Sequence, residues 1–388
     1  MNNVDLISNY CLTNELYTYD PYDIWKTKYG LLVKKIYNKN RFAGSFPAII
    51  FTIFDQYINN NKRIFYKKID YPIVRALSTL TLLNLLHSSS NKEKYIKQIE
   101  TNLEWLINNK SKGTVNYGWG LNFPHSVSSK IFYPADMPLT TITPYILEAF
   151  YVYHNTISDK YSNIFVGISR YFESDVKIIF EDKDHLVTSY ATFPDRIVYN
   201  SLSYTMYSYF LLSRILIKNR EEFESKAIKL FNYIKKNQNK DGSWFYAQTD
   251  NSFIDCFHSC IILKNLIKTE LELPDKNEII QKGYNFIKNN FLVDHLGLVK
   301  RFAHKNKPSL IEYDLYDNAE MLNLSILLDD KKTIQEINNG IIVNFKSKDK
   351  IFSAIDKWGN KLNANMLRWA IMPYIYSLSN LELQNAKN

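Results

Sequence analysis

The 388-residue sequence is short of cysteine, holding only Cys11, Cys256 and Cys260 with no CxxC pair among them. One of three is left over in any disulfide scheme, and no pair is spaced for zinc, so free thiols in a reducing compartment are expected. Apolar runs are short as well. None approaches the roughly 20 residues that cross a bilayer, and the start MNNVDLISNYCLTNELY has neither a basic region nor a continuous apolar stretch. The expectation is a cytoplasmic protein with no integral membrane segment. Glycine and proline are sparse, 11 of each, and no linker rich in them divides the chain. A single domain over 1–388 is predicted, with 1–45 its less regular part. GxGxxG, P-loop, HExxH and GxSxG motifs are all missing, and no cofactor or metal is expected. Asp255, Cys256 and His258 superficially suggest a metal set, but neighbouring helical positions point about 100° apart, which separates Cys256 from the other two.

What remains is 46% hydrophobic, enough for a large core, with 48 Lys+Arg against 39 Asp+Glu for a net +9. The basic residues read as scattered, which argues against a nucleic-acid partner. The 29 tyrosines accompany an abundance of Lys, Asn and Ile typical of AT-rich coding, so their number alone indicates no site.

Helical periodicity is clearest at 93–109, where Tyr95, Ile96, Ile99, Leu103, Leu106 and Ile107 share one face. Segments 72–88, 140–156, 197–217, 254–268, 313–329 and 363–381 instead carry small or apolar residues nearly all round, as helices buried on several sides do. They alternate with amphipathic stretches at 93–109, 159–173, 220–237, 277–290 and 331–346, and a helix within 22–60 would make the sixth. Long connections at 110–139, 174–196, 238–253, 292–312 and 345–362 start every 53 to 64 residues. Such a period signals hairpins that need neighbours to bury their faces. The predicted architecture is an all-α (α/α)6 toroid of six inner and six outer helices, with the long segments gathered at the end where inner helices begin. Helix N-termini predispose that mouth to anions.

The long segments supply the candidate residues. Gln238-Asn239-Lys240-Asp241-Gly242-Ser243-Trp244 marks a turn after an outer helix, in which Gln238 can cap and Trp244 can pack beneath. Tyr246 follows, and then Asp255 and His258, spaced to share one face of an inner helix as an acid–base pair, or as an N-cap and its partner. Asn116-Tyr117-Gly118-Trp119-Gly120-Leu121-Asn122 offers an aromatic face that glycines expose, or a loop core. Tyr190, Asp195, Arg196 and Asn200 crowd the head of a third inner helix. Lys300, Arg301, Tyr313, Asp314 and Asp317 do so for a fifth, and Arg368 and Trp369 for the last. Four of these, Arg196, Lys300, Arg301 and Arg368, are cations, pointing to an anionic ligand.

QNKDGSW resembles the Gln-Trp repeat motif of squalene–hopene cyclases and the wider terpenoid cyclase and prenyltransferase toroids, where it is structural. The order of Asp20-Pro21-Tyr22-Asp23, GWGLNFP, PLTTITPYILEAF, SYATFPDRIVYN, QNKDGSWFY with IDCFHSCIILKNL, and LRWA is similar to bacterial polysaccharide-biosynthesis proteins of the VpsJ type, over about residues 18–375. That resemblance implies a toroid working in capsule, exopolysaccharide or O-antigen assembly, in possible contact with other assembly proteins, and lends no established reaction. The layout is also loosely similar to glucuronyl C5-epimerases and uronate lyases. The DxDD motif of terpene cyclases is absent, and Glu181-Asp182-Lys183-Asp184 reads as solvated charge. The expectation is a carbohydrate-active protein taking an anionic glycan or sugar phosphate. Tyr117, Tyr190, Asp255, His258 and Tyr313 would serve as acid–base candidates. Trp119, Asn122, Asp195, Arg196, Asn200, Trp244, Tyr246, Lys300, Arg301, Asp314, Arg368 and Trp369 would bind the ligand. A non-catalytic glycan-binding or scaffolding toroid and a terpenoid or prenyl-lipid enzyme are the alternatives.

Overall fold

The computed structural model describes residues 3–87, 91–249, 252–305 and 308–387. Fourteen α-helices follow along them: α1 (Asn3–Cys11), α2 (Lys28–Lys39), α3 (Arg41–Ile53), α4 (Pro72–Leu85), α5 (Lys92–Asn108), α6 (Thr143–Thr156), α7 (Ile164–Arg170), α8 (Tyr199–Ile215), α9 (Arg220–Lys236), α10 (Cys256–Lys268), α11 (Lys276–Phe291), α12 (Leu315–Leu327), α13 (Lys331–Phe345) and α14 (Met372–Lys387). The helices that are apolar all round are enclosed all round. In α8 every residue from Tyr199 to Ser213 is buried, and in α12 every residue from Leu315 to Ile326. The amphipathic ones bury a single stripe, such as Tyr95, Ile99, Leu103 and Leu106 of α5 or Ile334, Ile337, Ile341 and Phe345 of α13.

The chain is an all-α (α/α)6 toroid. Helices α4, α6, α8, α10, α12 and α14 each pack on the next, and α14 packs back on α4. At that seam the Asn84 side-chain amide donates to Ser379 Oγ at 3.0 Å and to Asn380 Oδ1 at 2.6 Å. The outer layer is α5, α7, α9, α11 and α13, and its sixth member is α1, which packs on α14 and α4. The sixth outer helix was expected within 22–60, and this differs. Helices α2 and α3 form a separate hairpin at the mouth, because their apolar stripes point outward and leave the stretch beside α4 and α14 to α1. Residues 1–45, expected to be less regular, thus hold α1, α2 and the start of α3.

The bore of the ring is filled. Tyr145, Tyr204, Tyr207 and Tyr376 meet there with the ion pairs Lys264–Glu320 and Lys268–Glu148, leaving space for about one water. Among the described residues the site is therefore a mouth with a floor. Short antiparallel ladders knit the long segments into its rim. Phe302 pairs with Asp255, and Asp314 with Ala354, so residue 301 is delivered between the heads of α10 and α12.

One buried guanidinium ties three layers together. Arg75 on α4 grips Asp70 with Nε at 3.1 Å and Nη2 at 2.6 Å, and also donates to Asn102 of α5 and to the Asn14 carbonyl. Replacing it leaves the Asp70 carboxyl buried and unpaired. Arg75→Met is expected to cost about 3–5 kcal/mol in denaturant unfolding, whereas an exposed control such as Lys92→Met should be nearly neutral.

Candidate functional site

The heads of the inner helices bring three groups of side chains together. The first surrounds α10 and α12. Asp255 is the N-cap of α10, accepting from the His258 backbone N–H, and its two carboxyl oxygens also lie 2.8 Å from His258 Nδ1. The cap and the acid–base alternatives are thus both realised by one residue. A proton on Nδ1 satisfies this contact and leaves Nε2 as the nitrogen open to a ligand. Arg301 Nε stands 3.9 Å from Asp314 and 3.8 Å from Asp317. Asp314 accepts from Trp369 Nε1 at 2.9 Å, and Asp317 from the Phe257 backbone N–H at 2.9 Å. The other Asp317 oxygen, the one facing Arg301, is buried without a hydrogen-bond partner. Burial, then the neighbouring Asp314 carboxyl, pushes Asp317 well above the usual carboxylate range, and burial likewise raises Asp314 against the opposing pull of Arg301. The Asp314 and Asp317 pair therefore holds a proton to higher pH than solvated carboxylates would. Tyr22 packs edge-on against Trp369 at 4.9 Å, and burial pushes its phenol up to about 12.

The second group centres on Arg196. Its guanidinium lies over the rings of Tyr190 at 4.8 Å and Tyr246 at 5.3 Å, with Nε buried and unpartnered. Asp195 does not pair with it side chain to side chain. It accepts from Tyr133 Oη and from the backbone N–H groups of Tyr190 and Arg196, organising the loop. Tyr246 joins the two groups, its ring centroid 4.4 Å from that of His258. His125 sits beside Tyr133, and burial, aided by Lys34 and Arg196, lowers it to about 3, so its imidazole is neutral.

The third group is built on Asp20. Arg368 and Lys26 both pair with it, and Lys26 also donates to Asp23 at 3.0 Å and Tyr71 Oη at 2.6 Å. Burial pushes the Asp20 carboxyl up, but the two cations outweigh it and hold the group below the usual range. Tyr71 and Phe123 flank the Arg368 guanidinium.

Of the residues singled out in the sequence, Asp255, His258, Tyr246, Arg196, Tyr190, Arg301, Asp314, Arg368 and Trp369 belong to these groups. Others do not. Trp119 and Trp244 are buried, and each indole N–H donates to a carbonyl in the last turn of the preceding outer helix, Leu106 and Ile234, at 2.8 and 2.9 Å. They fasten the repeat and present no face to a ligand. Gly242 beside Trp244 has φ +94°, and a Cβ there would meet the Lys282 carbonyl at 2.4 Å. Gln238 bridges this turn to the Ile279 carbonyl of α11. Tyr117 packs against Gly167 of the outer helix α7. Asn122, in a left-handed turn, donates to the Asp70 carbonyl. Tyr313 follows the strand alternation away from Asp314, and Lys300 makes no ion pair among the described residues. Asn200 is buried with an unpartnered amide oxygen. Cys256 turns into the core beside Cys260.

Lys26, Tyr71, Tyr133 and His125 were not foreseen. Only Tyr71 had a signal, an aromatic directly before an inner helix. The expected cationic mouth is also corrected: Arg301 and Arg368 are matched by Asp314, Asp317 and Asp20, which leaves Arg196, of the three mouth arginines, without an acidic side-chain partner among the described residues. The floor is tightly packed, and the half-buried His258, Arg301, Trp369, Tyr190, Tyr246 and Arg196 are the surfaces a ligand could reach.

A buried acid that keeps its proton in the fold and sheds it on unfolding makes stability fall as pH rises. The wild-type thermal midpoint should therefore decline from about pH 4 upward through the retained pKa. Asp317→Asn should flatten that decline and be no less stable at neutral pH. An unchanged slope would rule out the protonated pair.

No protein-family model matches the chain, and no curated protein does. Solved structures similar in fold include the cellobiose 2-epimerase of Spirochaeta thermophila, 12% identical with a TM-score of 0.58 over 81% of this chain and 86% of that one. A glycoside hydrolase family 76 α-mannanase from Bacteroides thetaiotaomicron is 13% identical, TM-score 0.59, over 95% and 100% of the two chains. A family 105 glycoside hydrolase from C. acetobutylicum is 14% identical, TM-score 0.57, over 81% and 94%. At these identities the likeness establishes the toroid.

Proposed function

We propose that the mouth binds a carbohydrate and moves a proton on it, as an epimerase, isomerase or lyase does. The observation that carries this is the Asp255–His258–Tyr246 constellation, with 2.8 Å between carboxyl and imidazole and 4.4 Å between imidazole and phenol rings. The carboxyl–imidazole contact is within the reach that proton transfer requires, and ring packing holds Tyr246 beside the imidazole. Asp255 fixes the imidazole so that Nε2 takes a proton from a carbon next to a carbonyl or carboxyl group. Tyr246, Tyr190 and the unpaired edge of Arg196 hold the oxygen on which negative charge develops. Trp369 provides a flat face for a sugar ring. That the fold neighbours include sugar epimerases and glycoside hydrolases supports the reading. The three guanidinium groups speak against a terpenoid cavity, which would be lined by aromatics without cations. The place of this chemistry in surface-polysaccharide assembly, and an anionic substrate held by Arg196, rest on the motif resemblance and on that one arginine.

Incubation in D₂O with reducing disaccharides and with uronate-containing glycans tests the proposal. Deuterium should enter the substrate carbon, and His258→Gln should reduce its rate by about 10²–10⁴-fold with an unchanged melting midpoint. A lyase would instead give new reducing ends together with an unsaturated sugar, and new reducing ends with neither deuterium nor unsaturation would replace proton abstraction by hydrolysis. Neither change with any glycan would leave a binding toroid that does no chemistry.

A further inference from the structure

The hairpin of α2 and α3 inverts the rule that the rest of the molecule follows. Phe42, Phe46, Ile49, Ile50 and Ile53 recur at helical spacing along α3, the stripe that a helix normally buries, yet they are 95, 73, 56, 48 and 44% exposed. On α2, Tyr29, Leu32 and Ile36 are likewise outward. This is an ordered hairpin and not a frayed one. Asn40 caps α3 by accepting from the Ala43 N–H, and Gly44 lies so near the Tyr37 backbone that a Cβ would come within 2.2 Å of it.

Charge is distributed just as unevenly. Between Lys26 and Lys68 the sequence holds ten Lys or Arg and a single acid, Asp55, a net +9. The whole chain also carries +9, so the residues outside this segment hold 38 basic and 38 acidic side chains. The basic residues are therefore not scattered, as the composition first suggested. Lys26 and Arg63 are engaged in buried pairs, but Lys28, Lys35, Lys39, Arg41, Lys62 and Lys68 are exposed.

We infer that this hairpin seats the protein on the surface of an anionic lipid bilayer. An apolar stripe bordered by cations and almost free of acids matches the acyl boundary and the phosphate layer together. A nucleic acid would satisfy the charge alone and leave the stripe in water. No helix is long and apolar enough to cross a membrane among the described residues, so the hairpin lies in the interface. It is joined to the mouth by Asn38 on Ser126 at 2.9 Å and by Tyr57 on Asp356 at 3.0 Å, which sets the mouth beside the lipid surface. The inference stands apart from the catalytic reading.

Flotation of the full chain with vesicles of equal parts phosphatidylcholine and phosphatidylglycerol tests it. The protein should float with these vesicles and bind pure phosphatidylcholine at least about tenfold more weakly, with raised salt reducing the difference. Phe42→Ser with Phe46→Ser should abolish flotation, and Lys35→Glu with Lys39→Glu should weaken it, while melting midpoints stay unchanged. A wild-type protein that fails to float, or variants that float as well as the parent, would overturn the proposal. So would concentration-dependent dimerisation, abolished by Phe42→Ser, in a protein that ignores vesicles, since the stripe would then be a contact between copies.

Discussion

An inner helix that is apolar on every side has no stable exposed face, and this constraint shapes the whole molecule. Each such helix needs a neighbour on its left, its right and behind it. A row of six satisfies every member only by closing, and α14 on α4 is that closure. Once the ring closes, connections from outer to inner helices must emerge at one end, since the helices alternate in direction. The mouth is thus a consequence of how the apolar surface is buried, before any particular loop residue matters.

Crowding five long segments into that end has an electrostatic price. Carboxyls at the heads of α10 and α12 are drawn out of water by neighbouring loops, and the short ladder from Phe302 to Asp255 sets Arg301 among them. One guanidinium cannot balance both Asp314 and Asp317, so burial raises the proton affinity of each. At the head of α14 the balance differs: Arg368 and Lys26 both face the buried Asp20 and hold it ionised, while Lys26 also pairs with Asp23. The two groups meet at Trp369, whose indole donates to Asp314 and lies beneath the Arg368 guanidinium, with Tyr22 edge-on against it.

The ring was legible in the sequence because burial leaves a periodic trace, and helix periods of 3.6 residues and repeat periods above fifty are both long-range averages. Boundaries were less so. The inner segment expected from 313 begins as a strand to Asp314, and that expected from 363 continues as strand to Ala364 and a π-helical turn at Leu367–Ile371 before α14. Candidate residues that lie on an inner helix or next to one, Asp255, His258 and Arg368, do gather at the mouth, because the fold predicts where they point. For the tryptophans the ligand and packing readings both stood open, and the structure realises the packing one. A loop aromatic beside glycine looks the same in sequence whether its ring faces a ligand or, as with Trp119 and Trp244, donates back to the helix it has just left. Lys26 and Tyr133 lie in segments without periodicity, where only the folded ring decides proximity.

The charge of the molecule and the charge of its mouth turn out to be separate matters. The mouth's arginines are largely balanced by acids contributed from other loops, so they act over a few ångströms on whatever is bound. The positive field that extends into solvent comes from the segment between Lys26 and Lys68, because everything else sums to zero. Such a field orients the molecule as a dipole orients, turning the α2–α3 end first toward any negative surface. Since α2 touches the same rim loop that carries His125 and Ser126, the side of the molecule presented is the side on which the mouth opens.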